Sequence, residues 1–229
     1  PVLTAIKNNK KILVANKEIL VSAGDLIISY LKKSKSLLLP LDSEHNSLLQ
    51  IIVSSGLEYR INDKNYYEKK IQSITLTASG GPFLDYPIKK LNSIKAKDAV
   101  KHPTWKMGKK ISVDSSTMMN KGLELIEAKT LFNLDIKNIN AVIHRASLVH
   151  AFIEFIDGSI IFHMSDHDMK IPIAYALCYP DRIRNKKRII DKIGNIIFEP
   201  LDINKFRCFE LAKIAAKNGK NSGLILNSA

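Results

Sequence analysis

The sequence predicts an α/β fold with a mixed sheet, and two stretches carry that prediction. Residues 12–41 run strand, helix, strand, the succession that builds a parallel unit, because parallel strands need a crossover between them. Residues 141–164 read as three further strands, the last two joined by a tight Asp157-Gly158 hairpin, so an antiparallel portion follows the parallel one. At 229 residues, 45% hydrophobic and 25% charged, the chain is long enough for a real core, as one large domain or two smaller ones.

Taken in order, Ile12-Leu13-Val14-Ala15 is a short buried strand ending in Asn16-Lys17-Glu18. Leu20, Ile27, Ile28 and Leu31 then recur at helical spacing across residues 19–33. Leu37 to Leu41 is a second buried strand, followed by Asp42-Ser43-Glu44-His45-Asn46 and a helix through Leu48, Leu49, Ile51 and Ile52. Ile71 to Ala78 is a strand closed by Ser79-Gly80-Gly81-Pro82-Phe83, where two glycines allow close approach to a ligand or simply a turn. The only tryptophan, Trp105, lies on a loop punctuated by Pro103 and Gly108, as a lid or as an anchor of that loop on the core. Asp114, Ser115 and Ser116 are expected as N-cap residues of a helix patterned by Met119, Leu123 and Ile126. Ile171 to Cys178 is a short helix stopped before Pro180. Arg182 to Ile203 is charged, weakly patterned and expected as linker, and Phe206 to Ala216 is an amphipathic helix ended by Asn218-Gly219.

Two places suggest chemistry. If the segment after Leu41 is extended, Asp42 and Glu44 point the same way at the carboxyl end of a parallel strand, where α/β ligands bind. Two carboxylates aimed together repel unless one is protonated or a cation joins them. With Glu124 as a third oxygen donor they suit a hard cation, Mg²⁺ or Mn²⁺. The plainer alternative is that Asp42 or Ser43 only caps the next helix, and His45 is either a ligand or hydrogen-bonded structure. The second place is the hydroxyl-rich start of the 114–127 helix, with Lys121 one turn in and Asn120, Glu124 and Glu127 on one face. A helix start of that kind suits an anion such as phosphate, and an ordinary capped helix with a salt-bridged rim is the alternative.

Thirty-five Lys+Arg against 22 Asp+Glu give a formal net charge of +13. The lysines are spread along the chain with no RNP-like or zinc-finger pattern, so the excess reads as surface composition that helps attract an anionic substrate rather than nucleic acid. Two cysteines without C-x-x-C spacing argue against a disulfide scaffold or a thiolate zinc site, and no run approaches the roughly 20 apolar residues of a membrane span. Pro1 at the start and Leu224-Ile225-Leu226 just before Ala229 suggest a piece of a longer protein.

Six blocks together resemble the 1-deoxy-D-xylulose 5-phosphate reductoisomerase family, in its order and at its spacings over essentially the whole chain. They are Ala15 to Glu18, Leu39 to Asn46, Ala78 to Phe83, His102 to Gly108, Asp114 to Glu127 and Asp168 to Leu177. The resemblance implies a Rossmann-like tail at 1–42 and an α+β catalytic domain at 43–178. A linker at 179–204 and the start of a helical domain at 205–229 would follow. It implies a metal-dependent rearrangement of 1-deoxy-D-xylulose 5-phosphate and reduction by NADPH to 2-C-methyl-D-erythritol 4-phosphate. Asp42, Glu44 and Glu124 would bind Mn²⁺ or Mg²⁺. Ser79, Ser115, Asn120 and Lys121 would bind the phosphate beside His102, and Ser43 the substrate backbone. Asn16, Lys17, Glu18, Gly108 and Met169 would face the cofactor, with Lys17 between it and the substrate, and Trp105 and Met107 would belong to a lid.

By the same resemblance the full-length protein is a homodimer, cytoplasmic in a bacterium or plastidic otherwise, and the glycine-rich NADPH fingerprint lies before Pro1, so this chain alone should lack reductase activity. The sequence departs from the family where His144-Arg145-Ala146-Ser147 replaces the usual His-Pro-Gln-Ser and where His167 replaces a Pro. A non-catalytic sugar-phosphate-binding module and a basic RNA-binding protein are the alternatives of other classes.

Overall fold

The computed structural model describes residues 1–100, 108–185 and 189–229. Its elements are α1 (Val2–Lys7), β1 (Lys11–Val14), α2 (Glu18–Leu31), β2 (Leu37–Pro40), α3 (Ser43–Ser54), α4 (Lys64–Tyr67), β3 (Ile71–Ala78), α5 (Ala96–Ala99), α6 (Lys109–Ser116), α7 (Met119–Phe132), β4 (Ile139–Ile143), β5 (Val149–Phe155), β6 (Ile160–Met164), α8 (Lys170–Cys178), β7 (Glu199–Pro200), α9 (Arg207–Asn218) and α10 (Ser222–Ser228). The class is α/β, as expected.

The parallel unit and the antiparallel portion belong to two sheets. β1 and β2 pair in parallel as a sheet of their own, in register Ile12 with Leu38 and Val14 with Pro40. The second sheet is mixed, in the order β6-β5-β3-β4-β7: β3 and β4 are parallel and the remaining pairs antiparallel. β5 and β6 form a hairpin whose turn places Gly158 at φ +84°, a conformation glycine adopts without steric cost. The 182–203 stretch, expected as linker, contributes the two-residue edge strand β7 against β4.

One face of the mixed sheet is covered by α3, packed on β5 and β6, and by α7, packed on β3 and β4. Alternation along β3 explains this, since Ile74, Leu76 and Ala78 enter the core on one side. α7 is held on its other side by α2 and α9, and its Gly122 lets α9 approach so closely that an added Cβ would lie 2.6 Å from the Cβ of Ala212. The apolar core is continuous from Ile6 and Leu20 through Leu49 and Leu125 to Phe209, crossing residue 42 without a break.

The region from Asp114 to Thr117 corrects the expectation drawn from sequence. Asp114, Ser115 and Ser116 are not N-cap residues; they are the last three residues of α6. The break before α7 is made by Met118, buried and left-handed at φ 61°. The hydroxyls of Ser116 and Thr117 turn back on the carbonyl oxygen of Val113, as hydroxyls at a helix end do.

Candidate active site

Three local breaks in regular structure, after β1, after β2 and before α7, bring the site together. β1 ends at Val14 and Lys17 stands at the N-cap of α2; β2 ends at Pro40 and Asp42 stands at the N-cap of α3. The amide of Leu41 still donates to the carbonyl of Val14 at 2.8 Å, so both strand exits open on the same side. Glu44 falls in the first turn of α3, and Asn120, Lys121 and Glu124 in the first turns of α7. The expectation that Asp42 and Glu44 are brought together on an extended segment is thus corrected: a helix start places them together. One oxygen each of Asp42, Glu44 and Glu124 lies within 4.8 Å of the others. Asp42 makes no side-chain cap bond to α3, so the capping alternative does not describe it.

Two ammonium groups bridge these carboxylates. Lys17 Nζ lies 2.6 Å from Asp42 Oδ2 and 3.1 Å from Glu124 Oε1, and donates to Asn120 Oδ1 at 2.8 Å. Lys121 Nζ lies 2.6 Å from Glu44 Oε1 and also contacts Glu124 Oε2. Ser43 donates to the other oxygen of Glu44 at 2.6 Å. Burial pulls both lysines toward the neutral form, yet the surrounding carboxylates outweigh it and hold both above the usual lysine range. Burial and the nearby Glu44 raise Glu124, whereas Lys17 and His45 overcome burial to hold Asp42 well below the usual carboxylate range.

His45 is structural in its contacts. Its Nε2 is 2.8 Å from the carbonyl of Glu124, and its Nδ1 is 3.3 Å from Glu127 Oε2 and 3.7 Å from Asp42 Oδ2. Burial opposes its charge, but Glu127, Asp42 and Glu124 overcome that and push its pKa up to about 9. Glu127 is raised by its own burial.

The centre opens into a cavity of about 290 Å³. Of the residues expected from sequence, Lys17, Asp42, Ser43, Glu44, Ser79, Ser115, Asn120, Lys121, Glu124 and Met169 line it. Gly81, at φ +67°, brings the Ser79 loop against α6: an added Cβ would sit 2.6 Å from the carbonyl oxygen of Ser115. Asn16, Glu18 and Gly108 do not line the cavity, and Glu18 instead pairs with Lys110 at 2.9 Å. His102, Trp105 and Met107 lie outside the described residues.

Sequence reasoning missed Ile111, Met118, Ser147 and His150, which also line the cavity. His150 is buried, its Nε2 2.9 Å from Ser165 Oγ, and burial lowers its pKa, which favours the neutral ring. Its one sequence signal was a polar residue inside the apolar run Val149 to Ile153. The two departures from the family pattern meet in space, since His167 Nε2 lies 2.9 Å from the carbonyl of Ala146.

The donor set fits a divalent cation. Three carboxylates converge, and Asp42 Oδ2 is buried without a well-formed hydrogen bond despite the nearby Lys17.

Comparison with known proteins gives a consistent picture. Residues 38–132 match the family described as 1-deoxy-D-xylulose 5-phosphate reductoisomerase C-terminal domain, and residues 164–229 match that described as DXP reductoisomerase C-terminal domain. The 1-deoxy-D-xylulose 5-phosphate reductoisomerase of Wigglesworthia glossinidia brevipalpis is 43% identical over 99% of this chain and 57% of its own length. That of Psychrobacter cryohalolentis is 45% identical over 99% and 57%. A crystal structure of DOX-P reductoisomerase in complex with NADPH, fosmidomycin and magnesium superposes with a TM-score of 0.87 at 42% identity, covering 99% of this chain and 56% of that one. The Zymomonas mobilis enzyme in complex with NADPH gives 0.86 at 35%, covering 99% and 56%. The chain therefore spans a little over half the length of these relatives.

Proposed function

The chain belongs to the 1-deoxy-D-xylulose 5-phosphate reductoisomerase family, and we propose that it carries the metal- and substrate-binding core of such an enzyme. The substrate is 1-deoxy-D-xylulose 5-phosphate, the metal Mg²⁺ or Mn²⁺ and the reductant NADPH. The observation that carries this reading is the convergence of Asp42, Glu44 and Glu124 within 4.8 Å at the floor of a cavity.

Asp42, Glu44 and Glu124 are the residues that would hold the cation. When bound, it supplies Lewis-acid stabilisation of charge on the substrate's carbonyl and hydroxyl oxygens while a carbon–carbon bond shifts, and NADPH supplies the hydride that reduces the rearranged aldehyde. The chain's own groups bind and orient. Hydroxyls of Ser79 and Ser115 and the amide of Asn120 donate to phosphate oxygens on the α6 side of the cavity, and Ser43 donates to the substrate backbone. Lys17 and Lys121 keep the centre attractive to an anionic substrate. Ile111, Met118 and Met169 form the apolar wall that excludes water, Met169 on the cofactor side. A neutral His150 offers a hydrogen bond without adding charge. Homodimeric assembly of the full-length protein, and a cytoplasmic or plastid setting, go with this reading.

Thermal unfolding of the chain with Mn²⁺ and 1-deoxy-D-xylulose 5-phosphate, separately and together, tests it. Ligand at about 100 times its dissociation constant adds roughly 2.7 kcal/mol, a shift of about 5–10 °C for a chain of this size. The expected result is a metal-dependent shift of that order, lost in Glu124→Gln. A cooperative transition that ignores both ligands overturns the reading.

A further inference from the structure

Behind the carboxylate centre stands a second polar structure that the proposed function does not use. Asn46 and Gln50 lie one turn apart on α3, 0% and 2% exposed. Arg182 Nη1 donates to Gln50 Oε1 at 2.6 Å, and Gln50 Nε2 donates to Asn46 Oδ1 at 2.8 Å. Asn46 Nδ2 spends its two hydrogens on the carbonyls of Pro40, at 3.0 Å, and Pro172, at 3.3 Å. A guanidinium can only donate, so Gln50 must turn its oxygen to Arg182 and its amino group to Asn46. Asn46 must in turn present its oxygen to Gln50 and its amino group to the two carbonyls. The direction of every bond in the relay is therefore fixed at both ends, by a guanidinium that can only donate and by two carbonyls that can only accept.

The two carbonyls at the other end belong to two different elements, each a few residues from a residue that lines the cavity. Pro40 closes β2, two residues before Asp42, and Pro172 lies in the first turn of α8, three residues after Met169. Neither proline has an N–H, so the carbonyl is the one backbone hydrogen-bonding group each offers. Arg182 is also fixed to α8, its guanidinium 5.2 Å from the ring centroid of Tyr175.

We propose that Asn46 is a positioning residue that sets the spacing between the Asp42–Glu44 segment and the Met169 wall, and that Arg182 governs Asn46 through Gln50. The proposal rests on the reading of Asp42, Glu44 and Glu124 as metal ligands. The residues after α8 thereby act on the geometry of the metal site through buried amides, without touching substrate.

The test is Mn²⁺ titration of the 229-residue chain by calorimetry for the unsubstituted chain, Asn46→Asp and Arg182→Ala, with metal-free thermal unfolding of each alongside. Asn46→Asp keeps the size of the side chain but turns a carboxylate toward two carbonyls. Its added negative charge would by itself tighten a cation, so weaker binding reports misplacement of the ligands. The expected result is Mn²⁺ affinity down about tenfold or more in Asn46→Asp, the range seen for groups that orient metal ligands, and a smaller loss in Arg182→Ala. A purely structural role lowers the thermal midpoint and leaves the dissociation constant unchanged, and that outcome overturns the proposal. Should Asn46→Asp not fold, Arg182→Ala, at an exposed position, decides alone: an unchanged dissociation constant rejects the relay. Absence of Mn²⁺ binding by the unsubstituted chain removes the metal reading itself, and the positioning role with it.

Discussion

Two clusters of paired charge in this molecule use the same kinds of groups in opposite surroundings. In the centre, Lys17 and Lys121 lie among Asp42, Glu44 and Glu124, with Lys121 3% and Glu124 1% exposed. On the surface, Arg145 forks onto Asp85, at 2.6 and 2.8 Å, and onto Glu199, at 2.6 and 3.1 Å. By geometry the surface cluster is the better bonded, since both of its carboxylates are gripped by two guanidinium nitrogens. Half-exposed charges are screened by water, however, and forfeit most of that advantage. Buried charges have no such refuge, so each group in the centre depends on its partners. Good geometry on the surface therefore fixes little, whereas crowded geometry in the centre creates a standing demand for positive charge.

The largest expected effect removes one buried cation. Lys121→Met leaves Glu44 and Glu124 short of a partner and should lower the metal-free unfolding free energy by about 3 kcal/mol, read from urea denaturation. Mn²⁺ should bind this variant more tightly than the unsubstituted chain, because no ammonium competes for the same oxygens. A loss within about 0.5 kcal/mol, the ordinary surface range, would erase the distinction between the two clusters.

A smaller effect sharpens the comparison by separating burial from carboxylate contact. His163 on β6 is partly buried, where His45 is fully so, and its Nδ1 lies 2.9 Å from Ser47 Oγ, but it has no carboxylate partner among the described residues. Burial, with His150 and Arg182 adding to it, depresses its pKa to about 3, while His45 is pushed up to about 9. The folded state thus takes up the His163 proton later than the unfolded chain, whose value is about 6.5. Its contribution to stability is complete above about pH 6.5 and is lost as pH falls toward 3, by at most about 1.4 kcal/mol per pH unit. Urea midpoints between about pH 7 and pH 5 should fall less steeply in His163→Gln than in the unsubstituted chain. Equal slopes would show that burial and the neighbouring His150 and Arg182 do not shift this ring.

Much of this was legible in the sequence where period and punctuation agree. Ile71–Ala78 is a strand over the bounds its apolar run and the following Ser79-Gly80-Gly81 announce, and the hairpin turns at Asp157-Gly158. The meeting of Asp42, Glu44 and Glu124 was also legible, although for a different local reason, because carboxylates near a strand exit converge whether the next residues are extended or helical. The segment 114–117 was misread because a run of hydroxyl residues satisfies a helix end as well as a helix start. What decides between them is the left-handed Met118 and the approach of Gly81 to the Ser115 carbonyl, and both depend on distant residues. β7 is two residues long and has no period to read. His150 reaches the cavity only because β5 pairs with β3, information no single stretch contains.

The smallest expected effect belongs to Arg145, and it bears on how the departure from the family's His-Pro-Gln-Ser pattern is to be understood. Asp85 and Glu199 are each lowered by the hydrogen bonds from Arg145, so both remain charged through the neutral range. The cluster ties the loop that follows Gly81 to β7, which would make Arg145 a brace for the Ser79 side of the cavity if exposed ion pairs held firmly. At about 0.15 M salt, where fields between exposed charges fade within about 8 Å, Arg145→Ala should leave the urea midpoint and the Mn²⁺ dissociation constant unchanged within error. A modest loss of stability should emerge only as salt is lowered. A salt-independent loss, or weaker Mn²⁺ binding, would mean that the surface cluster positions the site as the buried one does, and the contrast between them would then lie in exposure alone and not in consequence.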